Sequence, residues 1–153
     1  MRKALNFSPI RFLLTVMAAL AIAGPAFAQS LQSLLRNEPE RAGFNVIHVD
    51  DLAQMMHDRS AHLHLYDVNP VDVRAQTGII PGAEPLASYI YDASVYLPAH
   101  KNATLVFYCR NTACKAADIA ANRALLAGYT DVDVMADGIE GWMSAGMHTE
   151  PAN

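Results

Sequence analysis

Five consecutive uncharged residues, Thr104-Leu105-Val106-Phe107-Tyr108, run directly into a cysteine, a short polar stretch and a segment dominated by alanine. β-Branched and aromatic side chains without a charge on either parity suit a strand covered on both faces, as the inner strands of a parallel sheet are. From about Ala113 to Ala127 the residues Ala117, Ala120, Ala121, Ala124 and Leu125 recur at three- and four-residue spacing, and Gly128 can take the left-handed conformation that ends a helix. A buried strand passing through a tight loop into a closely packing helix leaves few folds open. The expectation is an α/β architecture, a mainly parallel sheet flanked by helices.

The rest of the chain alternates in the same way. Val46-Ile47-His48-Val49 reads as a short strand, and Asp50 or Asp51 caps a helix through Leu52, Met55 and Met56 that ends near Arg59-Ser60. His62 to Val68 alternates as a strand and carries Asp67 at its end; Val71 to Ala75 predicts a short helix. Gly78-Ile79-Ile80-Pro81-Gly82-Ala83 is punctuated as a shaped loop or short strand, and Ser88 to Leu97 shows no decisive pattern. Val132 to Met135 forms another strand, Asp137-Gly138 a turn, and Ile139 to Ala145 a short helix ended by Gly146. In such folds ligands bind at the carboxyl ends of the strands, which directs attention to Cys109.

The amino terminus bears on compartment. Arg2, Lys3 and Arg11 precede an apolar run from Phe12 to Ala23, and Ala26-Phe27-Ala28 offers a small-x-small cleavage site. This is the pattern of a secretory signal peptide over residues 1–28, and the run is shorter than the ~20 apolar residues of a membrane span. The expected location is the periplasm, with no membrane association after cleavage. Residues 29–45 read as an N-terminal arm and 46–153 as one domain. The chain beyond residue 28 has 8 Lys and Arg against 15 Asp and Glu, a formal −7. An acidic chain without a basic patch repels phosphate backbones, which argues against a nucleic-acid partner.

Cys109 and Cys114 are the two cysteines of the chain. In an oxidising space they need an explanation: a structural disulfide, a metal clip or a reactive nucleophile. A disulfide closing so short a loop stabilises by ~2 kcal/mol or less through chain entropy. Zinc would need a second ligand pair, and none stands at suitable spacing. A cysteine between a strand end and a helix amino terminus faces unsatisfied N–H groups and the positive end of the helix dipole, both of which favour thiolate. Arg110 and Lys115 add positive charge. The loop Arg110, Asn111, Thr112, Ala113, Cys114 and Lys115 thus reads as an anion cradle around a nucleophilic Cys109.

At these residues the chain resembles the single-domain rhodaneses. The resemblance is carried, in order, by Leu65-Tyr66-Asp67-Val68, Gly78-Ile79-Ile80-Pro81-Gly82-Ala83, Val106-Phe107-Tyr108-Cys109-Arg110, Ala127-Gly128-Tyr129 and Asp137-Gly138-Ile139-Glu140-Gly141-Trp142. It covers roughly residues 46 to 147. It implies a rhodanese-like fold and a sulfurtransferase in which Cys109 takes a sulfane sulfur as a persulfide and passes it to a nucleophile. A small sulfur donor, a thiol acceptor and a periplasmic protein partner are the implied partners; no cofactor or metal is implied. Four positions depart from the family pattern. Asn69 stands where Arg is usual and Ile79 where His is usual. In the loop, Thr112 replaces a frequent Gly, and Cys114 replaces the Arg or Thr that would hold the sulfonate end of thiosulfate. That last change weighs against efficient use of thiosulfate, leaving either Lys115 as a partial substitute or a persulfide or polysulfide as the donor, and makes Cys114 a candidate resolving thiol. The alternative is a non-catalytic or redox-active module using a Cys109–Cys114 dithiol. Phosphatases on a similar scaffold use a longer Cys-x5-Arg loop, where this chain has Lys115, which lacks the bidentate fork.

Other residues have plainer readings. His62 and His64 share a strand face and, with Met55, Met56 and His57, suggest a copper patch, but a half-exposed strand and core methionines explain the same pattern. Asp67 reads as a scaffold group bonding backbone N–H groups on the active-site side, and Trp142 as packing.

Overall fold

Strand and helix alternate through the computed structural model as β1 (Asn45–Ile47), α1 (Val49–His57), β2 (Leu63–Asp67), α2 (Val71–Thr77), β3 (Glu84–Pro85), α3 (Ala93–Tyr96), β4 (Thr104–Tyr108), α4 (Ala116–Leu126), β5 (Asp131–Met135) and α5 (Gly138–Ser144). Residues 43–58 and 62–152 are described. The expected leader, nearly all of the arm and the helix end at Arg59-Ser60 lie outside the described residues.

The strands form one sheet in the order β1-β5-β4-β2-β3, with every pairing parallel. The uncharged run is its middle strand, in register with β2 through Asp67↔Tyr108 and with β5 through Tyr108↔Met135. Two apolar layers explain why no charge is tolerated there. Tyr66, Leu105, Phe107, Val132 and Val134 face α4 and meet Ala117, Ala120, Ala121 and Ala124, whose small side chains bring the helix close. Leu65, Val106, Tyr108 and Met135 face the other way, against Leu52 of α1, Val73 of α2, and Ile139 and Trp142 of α5. Each such fully buried apolar side chain is worth ~1.5–3 kcal/mol relative to exposure.

Several boundaries differ from the sequence reading for reasons of tertiary contact. Helix α1 starts at Val49 with His48 as N-cap, so Asp50 and Asp51 lie in its first turn instead of capping it. The His48 N–H donates to Asp51 Oδ2 (2.9 Å), and the Val49 N–H to Asp137 Oδ2 (3.0 Å), a carboxylate 88 residues away. The indecisive Ser88–Leu97 stretch contains the one-turn α3, capped by Asp92, whose Oδ1 accepts from the Ser94 N–H at 2.9 Å and hydroxyl at 2.7 Å. The Gly78–Ala83 loop is held by Ile79, which exchanges backbone bonds of 2.8 and 2.9 Å with Glu150. Among the described residues no helix is long and apolar enough to cross a membrane.

The histidines and methionines do not converge. Met55 and Met56 pack into the layer beneath α1, whereas His64 stacks on Tyr66, which belongs to the opposite layer. No group of three or more His, Cys, Asp or Glu is placed to hold a metal ion among the described residues.

Candidate active site

Cys109 leaves the carboxyl end of the central strand at a point fixed from two sides. From β2, the Val68 N–H donates to the Tyr108 carbonyl (2.9 Å); from α5, the Ile139 N–H donates to the Cys109 carbonyl (2.9 Å) and the Glu140 N–H to that of Arg110 (3.0 Å). The first residue of α5 is Gly138 at φ +66°, and the loop lies directly on it. A Cβ there would stand 2.5 Å from the Arg110 carbonyl oxygen and 2.6 Å from the Asn111 nitrogen. Only glycine lets the two backbones approach so closely.

The two thiols of the loop are joined. Cys109 and Cys114 form a disulfide with Cα atoms 6.2 Å apart, within the ordinary range for a bridge. The bond is the disulfide state of the Cys109–Cys114 dithiol that the sequence reading left open. Cys114 also lies outside the helix: α4 begins at Ala116 behind the N-cap Lys115, not at Ala113. Asn111 is the physical reason. Its Oδ1 accepts from the Ala113 N–H (3.2 Å) and its backbone carbonyl from the Cys114 N–H (3.0 Å), a turn that competes with helix. Two amides of the expected cradle are thereby spent inside the loop. Those of Arg110, Asn111 and Thr112 donate to no group among the described residues.

The electrostatics also differ from expectation, because both loop cations are paired. Arg110 Nε lies 2.6 Å from Glu140 Oε1, and Asn111 Nδ2 donates to Glu140 Oε2 at 2.8 Å. The hydrogen bond from Asn111, then that from Arg110, hold the Glu140 carboxyl below its usual range. Lys115 Nζ lies 3.2 Å from Asp118 Oδ2. The loop is therefore close to electroneutral and offers little attraction to a dianion. Glu140 stood in a quoted motif without an assigned role; nothing local in the sequence ties it to a loop 30 residues upstream.

The disulfide opens onto a cleft of about 380 Å³ between the β1–β5 edge and the start of α4. Phe44, Val46 and Val134 line its sheet side, and Cys109, Cys114 and Thr112 its loop side. A larger depression of about 660 Å³ runs between α2 and the carboxyl-terminal segment, and none of the loop residues line it.

Asp67 is a scaffold group. Fully buried, it accepts from the Tyr108 hydroxyl (2.8 Å) and the Asn69 N–H (2.6 Å), while the same hydroxyl accepts from the Ile80 N–H (3.0 Å). Desolvation raises the Asp67 carboxyl above its ordinary range despite these bonds. A guanidinium reaches it from α2: Arg74 Nη1 lies 3.8 Å from Asp67 Oδ1 and donates to the carbonyl of Leu86 (3.2 Å). The Asn69 side chain itself is buried and has no hydrogen-bond partner among the described residues. Trp142 is core, its Nε1 donating to the His148 carbonyl (2.8 Å).

Comparison with known proteins agrees with this architecture. A solved protein of Bacillus halodurans, BH2092, superposes with TM-score 0.62 at 19% identity over 78% of this chain and 85% of its own. The rhodanese-like domain of Alr3790 from Anabaena gives 0.57 at 20% identity over 69% of this chain and 78% of its own. A thiosulfate sulfurtransferase from Pseudomonas aeruginosa gives 0.59 at 18% identity over 72% of this chain, which spans 21% of that protein. At these identities the likeness is one of fold. Among curated proteins none matches. The model of the rhodanese-like domain matches residues 48–145, from the cap of α1 to the end of α5, and the chain belongs to that family.

Proposed function

We propose that the chain is a periplasmic sulfurtransferase that carries sulfane sulfur on Cys109 and discharges it with the help of Cys114. The observation behind this reading is that Cys109, at the carboxyl end of the central strand, has a second thiol within bonding distance in the same loop. In the reduced protein the Cys109 thiolate attacks the outer sulfur of a persulfide or polysulfide. The S–S bond of the donor breaks, its thiolate leaves, and Cys109 becomes a persulfide. The N–H groups of Arg110, Asn111 and Thr112, which donate to no group among the described residues, are the donors available to the anion. An acceptor thiol then removes the outer sulfur, or the Cys114 thiolate attacks the Cys109 sulfur, expelling sulfide and forming the disulfide. An external dithiol restores the reduced loop. The near-neutral surroundings favour an uncharged or singly charged donor over thiosulfate.

A second reading, a redox-active binding module without sulfur transfer, draws support from the bonded state of the pair and from the burial of Cys109. Intact mass separates the two. After reduction and exposure to polysulfide, the transferase gains ~32 Da per sulfur, and Cys109→Ala gains nothing. No gain on the wild type would leave the module.

A further inference from the structure

The disulfide is asymmetric in a way that assigns the two sulfurs different parts in its reduction. Cys109 is 3% exposed and belongs to the apolar layer with Leu105, Phe107 and Ala117. Cys114 is only partly buried and stands among the exposed Thr112, Ala113 and Lys115. Thiol–disulfide exchange puts the attacking sulfur, the attacked sulfur and the leaving sulfur on one line. The incoming thiolate must also reach the sulfur it attacks, and Cys109, at 3% exposure, is the less accessible of the two. Attack on Cys114 comes from solvent, with Cys109 as leaving group. The leaving Cys109 shares its loop with the N–H groups of Arg110, Asn111 and Thr112, which donate to no group among the described residues and are donors for the thiolate it becomes.

We propose that the reductant of this protein is a dithiol that enters through Cys114, forming a mixed disulfide there and releasing Cys109 as thiolate. The inference rests on the dithiol–disulfide part of the reading above. In the first step an external thiolate bonds to the Cys114 sulfur, the Cys114–Cys109 bond breaks, and the electron pair leaves on Cys109. In the second, the other thiol of the reductant attacks its own bridged sulfur. Cys114 leaves as thiolate and is protonated, and the reductant departs as a disulfide. A monothiol fares worse, because Cys109 remains next to the mixed disulfide and returns the loop to its starting state by attacking Cys114. Cys109 is thus the sulfur-carrying thiol and Cys114 the exchange thiol.

The test uses the oxidised wild-type protein, glutathione as monothiol, and N-ethylmaleimide to trap the freed thiolate, followed by peptide mapping. Glutathione on Cys114 with maleimide on Cys109 is expected to exceed the reverse labelling by at least about tenfold. Dithiothreitol at equal thiol concentration should reduce the bridge to completion where glutathione without the trap does not. Reverse or equal labelling, or no adduct on either cysteine, overturns the assignment. Persulfide formation on the reduced protein is a separate reading, so a failure here is distinguishable from a failure of sulfur transfer.

Discussion

Replacing Gly138 by alanine should destabilise the domain through a contact that no side chain makes at present. Gly138 has φ +66°, and an added Cβ would meet the backbone of Arg110 and Asn111 at 2.5–2.6 Å. The left-handed conformation alone costs a non-glycine residue ~1–2 kcal/mol. The overlap is with backbone pinned by the Ile139 and Glu140 N–H groups, which have little freedom to yield, and forcing such a site open adds ~1–3 kcal/mol. The sum is ~2–5 kcal/mol, or roughly 8–20 °C in Tm at about 4 °C per kcal/mol for a domain of this size. Gly128 provides the control, since its φ is +92° with nothing within 4 Å of an added Cβ. Gly128→Ala should cost only the conformational part, ~1–2 kcal/mol. Thermal and urea unfolding of both variants, each with the disulfide intact, measures the difference. Equal losses in the two variants would refute the reasoning, because they would show that the Cys109–Cys114 loop does not rest on the α5 backbone.

Three other outcomes follow from the buried network and the loop clamp. Tyr108→Phe removes the hydroxyl that joins Asp67 to the Ile80 N–H and should cost ~2–4 kcal/mol in urea unfolding, a loss confined to ~0.5 kcal/mol being incompatible with that network. Asp67 is raised above its ordinary 3.8, chiefly by desolvation, so the folded state holds its proton more tightly than the unfolded one. That contribution is complete below pH ~3.8 and declines as pH rises through the raised value; the wild type measured against Asp67→Asn should therefore lose relative stability with rising pH in that window, and the opposite slope would contradict the desolvation argument. Glu140→Gln frees Arg110 from its carboxylate, so the rate with thiosulfate relative to polysulfide should increase, most clearly at low salt, whereas an unchanged ratio would deny the clamp any part in donor choice.

Much of this was legible in the chain, and the misses share a cause. The uncharged Thr104–Tyr108 run and the alanine spacing of α4 record burial directly, so the central strand, its helix and the parallel sheet could be read from them. The place of Cys109 at the carboxyl end of the central strand was legible from the uncharged run that precedes it. The start of α4 was placed too early because Ala113 and Ala116 are good helix formers, and the competing signal was the single turn-forming side chain of Asn111. Long-range pairings were not legible at all. Glu140 neutralises Arg110, Asp137 caps α1, and Arg74 reaches the Asp67 carboxylate, and none of these leaves a periodicity or spacing to find. The positive cradle was overestimated in part for the same reason: the partner of Arg110 lies 30 residues away, whereas that of Lys115, Asp118, stood three residues on and was not weighed.

The central claim, that sulfur is carried on Cys109 and discharged through Cys114, is tested most directly by following the reduced wild type and Cys114→Ser by intact mass after one equivalent of polysulfide sulfur. The variant should hold a ~32 Da adduct. The wild type should lose the adduct with release of one sulfide and finish ~2 Da below its reduced mass, as the disulfide. Identical adduct lifetimes in the two proteins, with no sulfide released and both wild-type thiols still open to alkylation, would contradict the account.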